Sequence, residues 1–378
     1  MSIRQQNLGS IVKPGFNPLG AQTTSYTYYL YSWGINNSGQ LGLGDVSNRS
    51  SPVQVGALGS WSTAKMGQNY ALAISANGTL WAVGDAPQGQ TGLNTATAYS
   101  SLKQVGALTT WASVSNGGWI TPTAIKTDGT LWAWGYGISG NIGNGTTGIN
   151  YSSPVQIGSL TTWSKTAGGA NHNLAIKTDG TLWSWGRNTV GQLGLGDATN
   201  RSSPNQVGAL TTWLSIAAGY YFSTAIKTDG TLWTWGKGTS GALGLGNTTN
   251  YSSPKQVGAL TTWLQTSCGN YYTVAVKTDG TLWSWGNNSQ GQLGLGNLTV
   301  YSSPKQVGSI SNWLYASAGT QATIATKTDG TLWSWGYGAS GMLGLGNTTT
   351  YFSPVQVGAV TTWRVPIAGG GSTFGLLY

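Results

Sequence analysis

Residues 228–236 read Thr-Asp-Gly-Thr-Leu-Trp-Thr-Trp-Gly, and versions of this stretch recur along the chain. The close copies and then the two looser copies occupy 127–135, 178–186, 278–286, 328–336, 76–84 and 29–34. The glycine that ends each copy is separated from the next such glycine by 50 or 51 residues. A fixed period of this size predicts a stacked or circular array of small units.

One period, residues 203–253, predicts four short strands and no helix. The β-prone segments are 203–208, 211–219, 223–227 and 232–235. Asp229 and Gly230 stand between the last two segments and predict a hairpin with a type I′ turn, which needs positive φ. Trp233 and Trp235 are two residues apart, so they share one sheet face. Four short strands joined by glycine turns describe one blade of a β-propeller.

The stretch that follows each Trp-Gly pair resembles the signature of the regulator of chromosome condensation repeat family. Residues 285–296 read Trp-Gly-Asn-Asn-Ser-Gln-Gly-Gln-Leu-Gly-Leu-Gly, and residues 33–44 are similar. The resemblance covers residues 26–378. It implies a seven-bladed propeller of four-stranded antiparallel blades, and it implies little about activity, because function depends on sites that differ between proteins of one fold.

The two ends of the chain are predicted to build one blade together. Residues 26–33 match only the fourth strand of a blade. Residues 353–373 supply two strands and begin a third, which residues 374–378 continue. Closing a blade with both termini removes unpaired sheet edges. The predicted fold is therefore all-β, with the propeller over 26–378.

Residues 1–25 lie outside the repeat and are predicted to form an extended N-terminal docking arm. Pro14 and Pro18 favour extended backbone, and the apolar residues around them suit a partner's groove. A disordered leader and a strap over the propeller are the alternatives. The apolar anchors of this arm are Ile3, Leu8, Ile11, Val12, Phe16 and Leu19.

The composition disfavours nucleic acid and membranes as partners. Charged residues are 7% of the chain, against roughly 25% in an average soluble protein. The net charge is +9, but the basic residues are spread along the sequence, whereas a nucleic-acid groove needs them clustered. One repeat position supplies five lysines, which predict a solvated ring: Lys126, Lys177, Lys227, Lys277 and Lys327. No run is long enough to span a bilayer.

Catalysis, metal binding and cofactor binding are not expected. An active site needs several titratable groups that converge, and the chain has one His, one Cys, no Glu and scattered Asp. Cys268 is interpreted as core filler. His172 lies in a Gly-x-x-His sequence that resembles the family consensus, and it is interpreted as a packed, hydrogen-bonded residue.

In each blade, the three residues that follow the glycine at the end of the predicted second strand, such as Gly219, vary. Equivalent loops gather on one face of a closed ring, and Tyr and Trp are favoured contact residues. The alternative is that these residues plug the central channel or pack between blades. The predicted recognition face comprises Tyr70, Trp119, Ile120, His172, Tyr220, Tyr221, Phe222, Tyr271, Tyr272 and Gln321.

The sequence favours a non-enzymatic structural or adhesive protein of a phage particle, either a capsid decoration or a tail or fibre component. The composition suits a rigid extracellular body, yet residues 1–25 lack the apolar core of a secretory signal. A virion protein made in the host cytoplasm and released by lysis satisfies both observations. The predicted partners are other virion proteins, bound through residues 1–25, and a host surface receptor.

Three alternatives remain open. One is a secreted bacterial propeller that binds a protein partner, similar in fold to the propeller-type β-lactamase inhibitor. Another is a nucleotide-exchange factor for a small GTPase, which the uniform blade length disfavours. The last is a light sensor similar to the plant ultraviolet-B photoreceptors, of whose Gly-Trp-Arg-His-Thr motif only Gly118-Trp119 is present.

Overall fold

The computed structural model describes residues 27–57, 59–115 and 120–378. They form seven antiparallel sheets of four strands each. The first strands of neighbouring sheets pack against one another all the way round, so the sheets are blades of a closed ring. The prediction of a seven-bladed propeller with one blade closed by both ends of the chain is confirmed.

The strands fall into four series according to their place in a blade. The first strands are β3 (Trp61–Met66), β7 (Trp111–Val114), β11 (Trp163–Gly168), β15 (Trp213–Ala218), β19 (Trp263–Cys268), β23 (Trp313–Ala318) and β27 (Trp363–Ala368). The second strands are β4 (Tyr70–Ser75), β8 (Thr123–Lys126), β12 (His172–Lys177), β16 (Phe222–Lys227), β20 (Tyr272–Lys277), β24 (Ala322–Lys327) and β28 (Ser372–Leu377).

The remaining two series complete the blades. The third strands are β5 (Leu80–Gly84), β9 (Leu131–Gly135), β13 (Leu182–Gly186), β17 (Leu232–Gly236), β21 (Leu282–Gly286), β25 (Leu332–Gly336) and β1 (Tyr29–Gly34). The fourth strands are β6 (Tyr99–Gln104), β10 (Tyr151–Gln156), β14 (Arg201–Gln206), β18 (Tyr251–Gln256), β22 (Tyr301–Gln306), β26 (Tyr351–Gln356) and β2 (Arg49–Gln54). Short 3-10 turns lie at Thr239–Gly241 and Ala339–Gly341.

The blade boundaries differ from the predicted ones by one strand. The Ser-Pro segment was predicted to open a blade, whereas the structure makes it the fourth strand of the preceding blade. The closing blade consequently takes β27 and β28 from one end of the chain and β1 and β2 from the other. The join is an unbroken antiparallel ladder from Tyr29 opposite Leu377 to Gly34 opposite Ser372.

The Asp-Gly hairpin is confirmed, but its turn is not type I′. Gly230 has φ of +78°, while Asp229 is not among the residues with positive φ. The Gly230 N–H donates to the Lys227 carbonyl at 3.0 Å, and the Lys227 N–H donates to the Thr231 carbonyl at 3.0 Å. This is a three-residue loop closed by a glycine in the left-handed region. A Cβ on Gly230 would lie 2.1 Å from the Thr261 carbonyl oxygen, so glycine is also required by space.

The tryptophans pack between blades, since Trp213 and Trp235 lie in one core cluster with Leu174 and Leu182 of the preceding blade. Trp213 contacts Trp233 at 6.2 Å and Trp235 at 6.3 Å between ring centroids, so the last two share a face. Trp235 is fully buried, and its Nε1 donates to the Gln192 carbonyl of the preceding blade at 2.9 Å. The interface between these two blades thus combines apolar packing with a buried indole donor whose hydrogen bond is satisfied.

The prediction that the five repeated lysines form a solvated ring is wrong. Each ammonium lies 3.5–3.7 Å from the centroid of one Trp ring and 4.9–5.0 Å from a second. Lys227, for example, is 8% exposed and lies over Trp233 and Trp213. Burial lowers the pKa of Lys227, and the Asp229 charge partly opposes that shift. These lysines are structural groups held by cation–π attraction.

Candidate functional site

Antiparallel strands give the propeller two faces with different loops. The loops between first and second strands and those between third and fourth strands lie on one face, which we call the triplet face. The Asp-Gly hairpins and the linkers between blades lie on the opposite face, which we call the turn face. On the turn face the linker and hairpin are joined, since the Thr228 N–H donates to the Thr212 carbonyl at 2.9 Å.

The third residue of the variable triplet is buried in six of the seven blades. Tyr70, Phe222 and Tyr272 are 0% exposed, and His172 is 1% exposed. The preceding glycine makes room for the ring, because a Cβ on Gly219 would lie 2.2 Å from Phe222. These four side chains cannot contact a partner at the surface, so they are removed from the predicted recognition face. They fill the space between blades, which was the alternative interpretation.

The first and second triplet residues of two adjacent blades form a tyrosine cluster. Tyr220 lies 4.3 Å from Tyr221 and 5.6 Å from Tyr271, measured between ring centroids, and both contacts are edge-on. All three side chains are half-buried. The structure therefore brings together three of the ten predicted recognition residues, across the blades β15–β18 and β19–β22.

Two cations that the sequence analysis missed lie against this cluster. The Arg187 guanidinium is 5.3 Å from the Tyr221 ring, and one of its nitrogens is 3.5 Å from the Tyr221 hydroxyl. The Lys237 ammonium is 5.6 Å from the Tyr221 ring and 5.3 Å from the Tyr271 ring. Backbone pairing holds the lysine there, since the Lys237 N–H donates to the Tyr221 carbonyl at 2.9 Å.

The position of these cations varies between repeats, and that variation is the signal that could have identified them. It directly follows the glycine that ends each third strand. Its occupants in chain order are Ile35, Asp85, Tyr136, Arg187, Lys237, Asn287 and Tyr337. Two series of variable residues therefore meet on the triplet face.

The cluster is a positively charged aromatic surface at neutral pH. Burial, followed by a hydrogen bond with Tyr221, raises the pKa of Tyr220 to about 12. Burial also raises the pKa of Tyr271. Tyr220 and Tyr271 consequently stay neutral at neutral pH, and the cationic side chains of the cluster are Arg187 and Lys237. Within residues 27–57, 59–115 and 120–378, the ion pairs are Asp45–Arg49 and Asp197–Arg201, so neither cation of the cluster has a carboxylate partner there.

The other predicted recognition residues do not join the cluster. Ile120 and Gln321 are half-buried in the equivalent loops one blade beyond it on either side. Trp119 lies outside the described residues. The predicted arm, with its anchors Ile3, Leu8, Ile11, Val12, Phe16 and Leu19, also lies outside them, so its docking role stays a prediction.

The central opening of the ring is too small for a ligand. On the triplet face it is lined mainly by glycines and alanines together with Tyr220, Asn270 and Thr320. Its volume is about 40 Å³, whereas pockets for small molecules measure roughly 300–1,000 Å³. Recognition on this face therefore has to use the surface around the opening.

The titratable groups of the interior are inert. Burial raises the pKa of Cys268 to about 12, so its thiol stays protonated. Burial lowers the pKa of His172 to about 3, so its ring stays neutral. The Ser223 hydroxyl donates to the Gln192 carbonyl at 2.9 Å, so His172 Nε2, at 2.9 Å, donates to Ser223. No group of three or more His, Cys, Asp or Glu suited to a metal occurs among the described residues.

The part of the chain that the structure describes contains no helix with the length and apolar character needed to cross a bilayer.

Fold and site together define a seven-bladed propeller of 50- or 51-residue repeats whose loops vary most on one face. The chain belongs to the RCC1-like domain family, which matches residues 109–377, and the regulator of chromosome condensation (RCC1) repeat matches residues 29–74. The ultraviolet-B receptor UVR8 of Arabidopsis thaliana is 30% identical over 177 residues, which are 46% of this chain and 40% of the receptor. Protein RCC2 of Mus musculus is 38% identical over 78 residues, 20% of this chain and 15% of that protein. The chain thus spans less than half the length of these curated relatives.

Solved structures show the same fold at low identity. Human WBSCR16 superimposes with a TM-score of 0.83 at 20% identity, covering 93% of this chain and 99% of that one. Prp20p of Saccharomyces cerevisiae gives 0.83 at 18% identity, covering 94% and 92%. These likenesses support the ring architecture and carry no information on this chain's partner.

The prediction of a phage virion protein is wrong. The curated relatives that the chain matches are RCC1-like proteins such as the plant ultraviolet-B receptor UVR8 and mouse RCC2, not phage structural proteins. The composition argument failed because few charges and many Gly, Ser, Thr and Trp follow from the repeat itself. The predicted virion partners and host receptor depended on that prediction and are withdrawn with it.

Proposed function

We propose that this chain is a non-enzymatic propeller that binds a partner protein through its triplet face. The observation that supports this function is the cluster of Tyr220, Tyr221 and Tyr271 with Arg187 and Lys237. Tyr and Arg are the residue types that contribute most to protein interfaces, and here they lie together on one face and across three blades.

Solved relatives are consistent with protein binding. Prp20p of Saccharomyces cerevisiae has binding properties to Gsp1p and histones, and a second structure shows Kap60 bound to yeast RCC1 (Prp20). The second of these covers 93% of this chain at 17% identity with a TM-score of 0.80. Similarity at this level supports a shared scaffold for protein recognition, while the partner depends on the varied loops.

The turn face is the less suitable surface because it repeats. Six of its linkers each expose one apolar side chain, with 45–48% of that side chain accessible: Leu108, Leu160, Leu210, Leu260, Ile310 and Val360. A surface that is nearly uniform from blade to blade offers few positions at which a unique partner can dock. The triplet face has such a place.

The test compares matched double variants on the two faces. Wild-type protein, Tyr221→Ala/Tyr271→Ala and the control Leu210→Ser/Leu260→Ser are immobilised, and retained proteins from extracts of the producing cells are quantified. We expect a set of proteins that wild type and the control retain and that the tyrosine variant loses. Loss in the control alone would place binding on the turn face. Equal retention by all three would contradict the proposed function.

A further inference from the structure

We infer that the tyrosine cluster with Arg187 and Lys237 recognises an acidic, extended segment of the partner protein. This inference rests on the proposed function and specifies the chemistry of the ligand. It starts from the two cations, which lie on the surface without any carboxylate partner among the described residues. An unpaired cation held in place is a site for a ligand's anion.

The tyrosine rings hold both cations in defined positions. The Lys237 ammonium lies between rings from adjacent blades, 5.6 Å from Tyr221 and 5.3 Å from Tyr271. The Arg187 guanidinium lies 5.3 Å from the centroid of the Tyr221 ring. Its Nε donates to the Thr189 hydroxyl at 3.2 Å. Flexible side chains normally lose entropy on binding, so cations already held against rings form ion pairs at a smaller cost.

The surrounding charge favours anions. The chain contains no Glu, and five of its eight Asp lie in the hairpins of the turn face. The third-to-fourth-strand loop that begins at Arg187 contains Asp197, but that carboxylate is paired with Arg201. Hydrogen bonds with the Thr199 backbone and Arg201 help to keep the pKa of Asp197 low, so the pair is fully charged and internally neutralised. The net charge of the cluster therefore remains positive.

A peptide fits this cluster better than a nucleic acid. Phosphate-backbone binding depends on many cations along a groove, roughly six to ten contacts for a tight complex. The cluster offers two, and the repeated lysines are buried against tryptophan instead of extending the charge across the face. Two cations beside tyrosine rings suit an extended peptide that carries several carboxylates, whose apolar atoms would cover the rings.

The experiment uses defined probes. A fluorescent peptide in which Glu alternates with Gly is titrated with the full chain, alongside a Gln–Gly peptide and a short oligothymidylate. We expect the Glu peptide to bind about fivefold or more tightly than the Gln peptide, and its affinity to fall as salt rises. Tighter binding of the oligothymidylate, or no binding of the Glu peptide up to about 1 mM, would overturn the inference.

Matched variants distinguish peptide binding at the cluster from general electrostatic attraction to a basic protein. Arg187→Gln/Lys237→Gln is compared with Lys255→Gln/Lys305→Gln, which removes the same charge from fourth strands. Lys255 and Lys305 also lie over single tyrosine rings, at 5.7 and 5.5 Å, so the control matches the local contact as well. We expect about a fivefold loss of Glu-peptide affinity for the first variant and less than about twofold for the control. Equal losses would overturn the inference.

A third variant leaves the charge unchanged. Tyr221→Ala removes the ring that both cations contact, and we expect it to weaken Glu-peptide binding while the wild-type melting temperature is nearly retained. An unchanged affinity would show that the rings do not organise the cations, and would contradict the inference. If cell-extract partners depend on Tyr221 and Tyr271 but not on Arg187 and Lys237, the proposed function holds and the acidic ligand is wrong. If they depend on neither pair, the proposed function itself fails.

Discussion

The turn face and the triplet face are made by the same 28 strands, yet one repeats and the other varies. On the turn face each regular blade has the same group, in which Asp229 accepts from the Thr231 hydroxyl at 2.7 Å and that hydroxyl accepts from Trp233 at 2.9 Å. On the triplet face the equivalent loops present tyrosine, asparagine, glycine or alanine. The repeated Asp-Thr-Trp group is structural, whereas the varied loops include side chains that reach the surface.

The comparison also holds within a single triplet. Phe222 is buried between blades, whereas Tyr221, its neighbour in sequence, is half-exposed beside two cations. Variation in sequence is therefore not sufficient to identify a surface residue. Burial decides which varied residues can meet a partner.

The largest expected effect comes from opening the ring. Deleting residues 372–378 removes β28, together with the buried Phe374 and Leu376, and leaves β1 as an unpaired edge. Loss of those two side chains alone costs more than about 5 kcal/mol, and the exposed edge promotes aggregation. Thermal unfolding and light scattering measure this. Removing Tyr378 alone should cost less than about 1.5 kcal/mol, and a deletion that melts like wild type would refute closure by β28.

Next in size is the contrast inside the triplet. Phe222→Ala should lower the free energy of unfolding by about 3–5 kcal/mol, because it leaves a cavity between blades. Tyr221→Ala should cost less than about 1 kcal/mol, because its ring is half-exposed. Chemical denaturation of both variants checks this difference. Similar losses would mean that the cluster is as structural as the turn face.

His172 should make the protein sensitive to mild acid. Its pKa is about 3 in the folded chain and 6.5 in the unfolded one. Between these values the unfolded chain binds a proton that the folded chain does not, so stability falls as pH falls through that window, by up to about 1.4 kcal/mol per pH unit. His172→Phe, which copies Phe222 of the next blade, should abolish this dependence between pH 6 and about 4.5, above the range of the aspartates. Denaturation midpoints at several pH values measure it.

The smallest effect separates two lysines of one blade. Lys227→Ala should cost about 1–2 kcal/mol, because its buried stem and ammonium pack on Trp233 and Trp213. Lys237→Ala should cost less than about 0.5 kcal/mol and should weaken partner binding. Melting temperature and Glu-peptide affinity are measured for both. If Lys237→Ala were the more destabilising variant and Lys227→Ala the one that weakened peptide binding, the distinction between the two faces would be wrong.

The sequence predicted the ring and its closure, because the period, the Asp-Gly hairpins and the paired tryptophans are local signals. It did not predict where a blade begins, since in a repeating chain the Ser-Pro strand could pair with the strand before or after it. Only the pairing of Ser32 with Val53 and its equivalents decides this. The prediction of a solvated lysine ring was wrong for a similar reason. Trp213 stands opposite Lys227 across two strands, and such a contact is invisible along the sequence.

The candidate site was predicted in part. Tyr220, Tyr221 and Tyr271 follow from reading aromatic variation against a repetitive background. Phe222 was misassigned because it is the first residue of β16, where the side chain already points between blades. Arg187 and Lys237 were missed because variation was sought in one loop series only.

The ladder between β1 and β28 has a mechanical consequence. Tyr29 and Leu377 face each other at one end of two antiparallel strands. A pulling force applied at these two residues acts perpendicular to the strands. The hydrogen bonds of the ladder therefore break one after another from that end. The ring can therefore be thermally robust and still yield to a small load between residues 29 and 377, whereas a load along the strands would meet all of those bonds at once.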